Sequence, residues 1–252
     1  MDTVKQKIFS KVPEVTLIFW LTKILATALG ETGGDAVSMS MNLGYLLSTG
    51  IFAVLFSVAV IAQISAKRFH PLLYWITIIT TTTVGTTLAD FMDRSLGIGY
   101  AGGTTILFVL LMASLFIWHR TLGSVNVDTV SSPKSEMFYW ITIMFSQTLG
   151  TALGDWTADI TGIGYGGGAL VFSLLLAIVA AAYYRTTLSR TTLFWAAFIL
   201  TRPLGAVVGD FLDKPVSNGG LALNRYSASM VLFLLIGSSI LLFSQKAATP
   251  RH

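Results

Sequence analysis

Eight apolar runs, each near the length of a bilayer-spanning α-helix, alternate with polar segments along this chain. A spanning helix needs about 20 consecutive apolar residues, whereas membrane-barrel strands are shorter, near ~10 residues, and alternate in polarity. The pattern therefore predicts an all-α transmembrane protein with eight helices. They are expected at Val15–Gly34, Leu43–Ala66, Leu72–Phe91, Gly102–Trp118, Phe138–Ala158, Ile163–Tyr183, Leu193–Leu212 and Ala228–Phe243.

A pattern of Trp-x9-Gly-x4-Asp recurs in every second run, and a Gly-Tyr or Gly-Gly pair ends ten residues after each Asp. Fixed spacing in every copy identifies an internal repeat. The repeats cover about residues 15–66, 72–119, 137–184 and 192–244 of a single membrane domain, 1–252, and a polar segment, 121–136, links the two halves. The motif residues are Trp20, Gly30 and Asp35; Trp75, Gly85 and Asp90; Trp140, Gly150 and Asp155; and Trp195, Gly205 and Asp210.

Two helices per repeat make every repeat enter the membrane in the same direction. We therefore expect four parallel two-helix repeats with pseudo-symmetry about the membrane normal, rather than inverted repeats. All four Asp then lie at one depth. The rise from Trp20 to Asp35 is about 22 Å at ~1.5 Å per residue, which places the Asp close to the outer interface.

Composition supports a membrane protein and excludes several other classes. The chain is 54% hydrophobic and only 11% charged, whereas soluble domains carry about 25% charged residues. The absence of cysteine excludes disulfides, thiolate metal sites and cysteine nucleophiles. No nucleophile–base pair, phosphate-binding loop or zinc-protease motif is visible, so we predict that the protein is not an enzyme. We also expect no tightly bound cofactor and no nucleic-acid partner.

The placement of basic residues predicts the orientation. Eleven of the 16 Lys and Arg residues lie on one predicted side of the membrane, which the positive-inside rule makes cytoplasmic. Both termini are then cytoplasmic. The eleven residues are Lys5, Lys7, Lys11, Lys67, Arg68, Arg120, Lys134, Arg185, Arg190, Lys246 and Arg251.

Acidic residues concentrate in the repeats. Eight of the 12 acids belong to the four motifs, and the two acids of each copy share one helix face because they are three or four residues apart. Repulsion at that spacing must be relieved by protonation, a cation or a base. The four repeat Asp would form a ring or two facing pairs, and acidic rings select cations.

These residues predict an oxygen-only cation site. The expected ligands are Asp35, Asp90, Asp155, Asp210 and Glu31, and such a set favours Mg, Ca, Mn, Na or protons. The three His lie at predicted cytoplasmic positions, which argues against zinc or copper(II). The surrounding polar residues are expected to be Lys23, Arg202, Thr27, Thr82, Gln147, Thr86, Thr151, Asp93, Asp159 and Asp213.

Two bases in the spans, Lys23 and Arg202, oppose the five expected ligands, which leaves a deficit of three positive charges. Intramembrane charges usually mark a pathway. We expect Lys23 to pair with Glu31 and Arg202 to pair with a carboxylate.

The sequence favours transport of a cation, with a divalent metal such as manganese as the leading candidate. One alternative is a non-transporting scaffold or assembly protein in which the repeat Asp are helix caps. Another is a transporter of a small organic or anionic solute held by Lys23 and Arg202. The expected partners are the lipid bilayer and a small cation, and a homo-oligomer remains open.

The four copies resemble a bacterial family of integral membrane proteins built from a repeat of unknown function. The resemblance covers about Val15 to Phe243 and implies placement in the bacterial inner membrane. In addition, Glu31-Thr-Gly-Gly-Asp35 is similar to the Glu-x-Gly-Asp signature of a separate manganese and calcium transporter family, although it is one residue longer. That similarity points to divalent cations.

Overall fold

Eight long α-helices make up the fold in the computed structural model, which describes residues 10–160 and 162–248. The predicted all-α class is confirmed: no strand occurs within those residues, apart from an isolated bridge between Pro13 and Ala247. The helices are α1 (Leu17–Asp35), α2 (Gly44–Ser65), α3 (Pro71–Asp90), α4 (Gly99–Leu122), α5 (Pro133–Asp155), α6 (Gly164–Arg185), α7 (Arg190–Asp213) and α8 (Arg225–Leu242).

The first helix of each repeat belongs to an inner bundle. In this bundle α1 packs against α3, α3 against α5, α5 against α7, and α7 returns to α1. The second helix of each repeat packs outside, against the first helix of the next repeat: α2 on α3, α4 on α5, α6 on α7, and α8 on α1. The predicted four parallel repeats are thus arranged as a closed cycle.

Burial follows this arrangement. In the described part of the chain, six helices are long and apolar enough to cross a membrane. Four of these are the outer helices, which leave most of their apolar side chains exposed. The two helices outside this set of six, α1 and α5, belong to the inner bundle and carry buried polar and charged side chains. Their lower apolar content is compatible with a membrane protein because neighbouring helices enclose those side chains.

The motif glycines allow the inner helices to approach closely. A Cβ atom at Gly30 would lie 3.0 Å from the carbonyl carbon of Thr82 on α3, and one at Gly85 would lie 3.0 Å from the amide nitrogen of Thr148 on α5. Gly150 meets the stem of Arg202 on α7, and Gly205 meets Thr27 on α1. Each glycine therefore contacts the next repeat in a fourfold cycle, and close packing of this kind is typical of small residues in membrane helices.

The chain reverses direction beyond each motif Asp. In the first three repeats a π-helical turn follows the Asp, at Ala36–Ser40, Phe91–Ser95 and Trp156–Ile160. The next outer helix then begins at Gly44, Gly99 or Gly164, each of which has a φ between 65° and 73°. Glycine adopts this left-handed conformation without steric cost. The fourth repeat departs from the pattern, because α8 begins only at Arg225.

The opposite end of the inner bundle is aromatic. Tyr74 and Tyr139 are fully buried, and their hydroxyl oxygens are 2.8 Å apart. Trp75, Trp140 and Trp195 are at most 5% exposed and lie in the same cluster of rings. Three of the four motif Trp are therefore core residues. We call this the tryptophan end (Trp20, Trp75, Trp140 and Trp195) and the opposite one the aspartate end (Asp35, Asp90, Asp155 and Asp210).

The basic residues used for the orientation lie near the tryptophan end wherever they are described. There Lys11 Nζ is 2.7 Å from Glu136 Oε1 and donates to the carbonyl oxygen of Ile64 at 2.9 Å. Lys5, Lys7 and Arg251 lie outside the described residues.

Candidate functional site

Side chains at the same motif position of α1, α3, α5 and α7 form layers across the inner bundle. Successive layers are four residues apart along each helix. From the aspartate end inward, the next layer after the four Asp contains Glu31, Thr86, Thr151 and Ala206, and the one below it contains Thr27, Thr82, Gln147 and Arg202. All of these side chains are at most 3% exposed. The layers below are mostly apolar: Lys23, Ile78, Ile143 and Phe198, and then Phe19, Tyr74, Tyr139 and Phe194.

The four repeat Asp are divided into two pairs, and a base bridges each pair. Arg94 Nε lies 3.0 Å from Asp90 Oδ1, and Arg94 Nη2 lies 3.0 Å from Asp155 Oδ2. Lys214 Nζ contacts both Asp35 Oδ2 and, at 3.1 Å, Asp210 Oδ1. Of the two arrangements left open by the sequence, facing pairs describe the layer better than an unbroken ring.

Two bases, Lys214 and Arg225, lie at the pair formed by Asp35 and Asp210. Burial by itself would lower the pKa of Lys214, but the carboxylates of Asp210, Asp35 and Asp213 outweigh burial and raise that pKa well above its usual value. The ammonium group therefore stays charged. Arg225 lies beside it, with Nε 2.6 Å from Asp213 Oδ2 and Nη2 3.8 Å from Asp35 Oδ2.

Arg202 occupies the centre of the bundle. Its Nη2 atom donates to Glu31 Oε2 at 3.1 Å, to Thr86 Oγ1 at 2.6 Å and to Thr151 Oγ1. One side chain from α7 therefore touches α1, α3 and α5. The expected pairing of Arg202 with a carboxylate is confirmed, and the carboxylate is that of Glu31.

Lys23 does not pair with Glu31, so that expectation is wrong. Its Nζ atom donates to the carbonyl oxygen of Phe198 at 3.0 Å and to Thr201 Oγ1 at 2.5 Å, and it lies 3.9 Å from the centroid of the Phe198 ring. The reason is distance along the helix, since Lys23 and Glu31 are eight residues, or about 12 Å, apart at ~1.5 Å per residue. Arg202 reaches Glu31 from the facing helix instead.

Gln147 and Arg202 retain unused hydrogen-bonding capacity. Within the described residues, neither amide atom of Gln147 has a hydrogen-bond partner, and neither does Nε or Nη1 of Arg202. Thr27 and Thr82, which complete this layer, donate to backbone carbonyl groups of Ile24 and Ile79. Buried polar groups of this kind usually bind water or a ligand.

The second acid of each motif takes a different position in each repeat. Asp213 binds Arg225. Asp93 is buried against Gly103, and neither of its oxygens has a hydrogen-bond partner within the described residues. Asp159 is exposed and accepts a hydrogen bond of 2.9 Å from the hydroxyl group of Tyr100.

Among the residues that the structure describes, two groups of three carboxylates are compact enough to hold a cation. One oxygen from each of Glu31, Asp155 and Asp210 lies within 4.8 Å of the other two, and the same holds for Asp35, Asp210 and Asp213. All five residues are buried. Asp90 belongs to neither group, although it was expected among the ligands.

A cavity of about 690 Å³ opens above the aspartate layer, and we call it the vestibule. It lies where the first helices end and the second helices begin. Its walls are formed by Met39, Arg94, Tyr100, Ala158, Asp159, Tyr165, Lys214, Asn218 and Arg225.

Comparison with known protein families gives one match, which recurs along the chain. The model described as "Repeat of Unknown Function (DUF347)" matches four times, at residues 18–69, 73–124, 138–189 and 193–247. The chain belongs to this family. The DUF347 copies coincide with the four two-helix units of the fold, and the resemblance noted from the sequence is confirmed. No curated protein and no solved structure matches the chain.

Sequence reasoning missed the three bases of the aspartate end in this DUF347 chain: Arg94, Lys214 and Arg225. With Lys23 and Arg202 they bring the number of bases to five, which equals the number of expected carboxylate ligands. The predicted deficit of three positive charges against those five ligands was therefore wrong. Arg94 and Lys214 each follow a motif Asp by four residues, and this spacing was the available signal. When Asp93, Asp159 and Asp213 are included, the eight motif acids again exceed the five bases, Lys23 among them, by three.

Proposed function

We propose that this protein binds a cation at the aspartate end of its inner bundle and transports it across the membrane. The observation that carries the proposal is the buried group formed by Glu31, Asp155 and Asp210, whose oxygens lie within 4.8 Å of one another. Carboxylates held this close repel one another unless a proton, a cation or a base lies among them, and here Arg202, Arg94 and Lys214 each contact one of the three. Across the inner bundle, the eight motif acids also exceed the five bases by three, which leaves negative charge for a cation to neutralise.

A divalent metal ion such as manganese fits this group by ligand type. Glu31, Asp155 and Asp210 would contribute carboxylate oxygens, and Thr86 and Thr151 lie next to them around Arg202. Oxygen-only sites are typical for Mg, Ca and Mn. Arg94, Lys214 and Arg202 would act as internal counter-charges that give way as the cation binds.

The protein is proposed to lie in the bacterial inner membrane with both termini in the cytoplasm. The vestibule and the aspartate end would then face outward, and the aromatic tryptophan end would close the path on the cytoplasmic side. The described basic residues near the tryptophan end support this orientation through the positive-inside rule.

The test is thermal unfolding of the detergent-purified protein with Na, K, Mg, Ca, Mn, Co or Zn, followed by uptake into proteoliposomes. A ligand of the folded state raises the unfolding midpoint as its concentration increases. We expect one or two cations to raise the unfolding midpoint of the wild-type protein. Asp155→Asn should lose both this shift and uptake. The matched variant Glu14→Gln should keep both. Unchanged uptake in a folded Asp155→Asn protein would refute the proposal.

A second candidate is a scaffold or assembly protein in which the acids are structural. The observation that favours it is the contact of every repeat Asp with a base. It predicts that Asp155→Asn lowers stability without altering the response to any cation.

A further inference from the structure

The vestibule is much larger than a single ion requires. Its volume is about 690 Å³, whereas one water molecule occupies about 30 Å³ of the liquid. Pockets for small organic molecules typically measure about 300–1,000 Å³. A metal ion held by Glu31, Asp155 and Asp210 would leave nearly all of the vestibule unused.

The walls of the vestibule combine aromatic rings with a carboxylate. Tyr100 and Tyr165 come from equivalent positions of neighbouring repeats and both line the cavity. The hydroxyl group of Tyr100 donates to Asp159 Oδ2 at 2.9 Å, which holds that carboxylate beside the ring. Aromatic rings and carboxylates together are the usual recognition elements for organic ammonium groups.

The acid pairs below the vestibule already hold organic nitrogen cations that belong to the chain. The guanidinium group of Arg94 lies between Asp90 and Asp155, with two N···O distances of 3.0 Å. The ammonium group of Lys214 lies between Asp35 and Asp210. Both distances at Arg94 are those of charge-assisted hydrogen bonds, so the acid pairs accept N–H donors in this arrangement.

The sign of the charge favours a cation in spite of the three bases in the wall. Each of those bases is paired with acids that lie beneath it, and Asp93 and Asp159 have no base partner within the described residues. The vestibule wall itself holds three bases and one carboxylate. Negative charge exceeds positive charge only when the acids beneath the wall are counted with it, and such an excess attracts cations. A solute with a guanidinium or ammonium group can replace Arg94 or Lys214 at a carboxylate pair with similar hydrogen bonds.

We infer that the vestibule binds a small organic cation that carries an alkylammonium or guanidinium group, and that this cation is the transported substrate. The inference rests on the proposed cation transport and specifies its substrate class. The amine or guanidine would lie between Tyr100, Tyr165 and Asp159 and would pass to the aspartate pairs as their own bases withdraw.

The experiment compares putrescine, agmatine and manganese chloride as ligands of the purified full-length protein in thermal unfolding. We expect both organic cations to raise the unfolding midpoint in the low-millimolar range. Asp159→Asn should lower the binding affinity for both organic cations roughly fivefold, because an exposed charge pair usually contributes about that much. Asp159 is exposed, so this variant is expected to fold. Glu14→Gln removes an exposed carboxylate near the tryptophan end and serves as the matched control.

The outcomes separate the two proposals. A shift with manganese and none with the organic cations would overturn this inference and leave the proposed transport intact. No shift with any cation would overturn both. Organic-cation shifts of equal size in the wild-type protein, Asp159→Asn and Tyr100→Ala would place the ligand outside the vestibule, which also overturns the inference.

Discussion

The two ends of the inner bundle use the same fourfold register for opposite chemistry. At the aspartate end the register positions hold four carboxylates, which Arg94 and Lys214 bridge in pairs. At the tryptophan end the register positions hold the aromatic rings of Phe19, Tyr74, Tyr139 and Phe194. The hydroxyl groups of Tyr74 and Tyr139 are hydrogen-bonded to each other. Ion pairs can exchange one partner for another at little cost, whereas close-packed rings must separate to open. Under the proposed transport, this difference would make the aspartate end the place of ligand exchange and the tryptophan end the closed side.

Arg202, which lies between the two ends, should give the largest loss of stability when it is replaced. Replacement of Arg202 by Met leaves Glu31 as a buried carboxylate without its base, and breaking a buried ion pair in this way costs about 3–5 kcal/mol. The measurement is the free energy of unfolding in detergent. The double variant with Glu31→Gln should recover much of the loss. Equal stability of the wild-type protein and Arg202→Met would show that the pair does not hold the helices together.

The close approach of the inner helices at the motif glycines can be tested with two glycines of α1. Gly30→Ala places a methyl group against Thr82 of α3, and overpacking of this kind costs about 1–3 kcal/mol. Gly33→Ala lies three residues further along α1 with no atom within 4 Å of the new methyl group. It should stabilise the helix by about 0.5–1 kcal/mol, since alanine favours helix more than glycine. A matched loss in both variants would argue against the close approach at Gly30.

The tryptophan end should respond to removal of one hydroxyl group. Tyr74→Phe breaks the 2.8 Å contact with Tyr139 and leaves a buried hydroxyl unpaired, at a cost of about 1–3 kcal/mol. The double variant with Tyr139→Phe should be closer to wild type because no hydroxyl is left unpaired. Melting curves of the three variants provide the comparison. Additive losses in the double variant would mean that the two hydroxyl groups do not act as a pair.

The aspartate end should change in ligand binding as well as in stability. The side chain of Arg94 is 31% exposed, but the side chains of its partners Asp90 and Asp155 are only 2% and 4% exposed. Arg94→Gln leaves these two carboxylates without a base and should lower the melting temperature, although less than Arg202→Met does, because Arg94 lies in the vestibule wall where water can take its place. It should also bind the proposed cation roughly tenfold more tightly, because Asp90 and Asp155 lose their competing base. Weaker cation binding in this variant would show that Arg94 supports the site rather than competes for it.

Sequence reasoning identified the repeats, the helices and the acidic layer because these follow from spacing along one helix. Residues four apart share a helix face, so their spacing alone places Glu31 and Asp35 on the same side of α1. The partners of those acids were harder to identify. Arg225 and Asp35 are far apart in the chain, and Arg202 reaches Glu31 from a different helix, so neither contact leaves a periodic signal.

The sequence by itself determined the class of the protein, the four two-helix repeats and the level of each repeat Asp, since hydrophobicity and helical rise are local properties. Only the tertiary structure decided that the first helices form the inner bundle, that the acids pair through Arg94 and Lys214, and that Lys23 contacts Phe198 and Thr201 instead of Glu31. Those outcomes depend on which helices become neighbours and how far long side chains reach between them. Neither quantity is encoded in the spacing along a single helix.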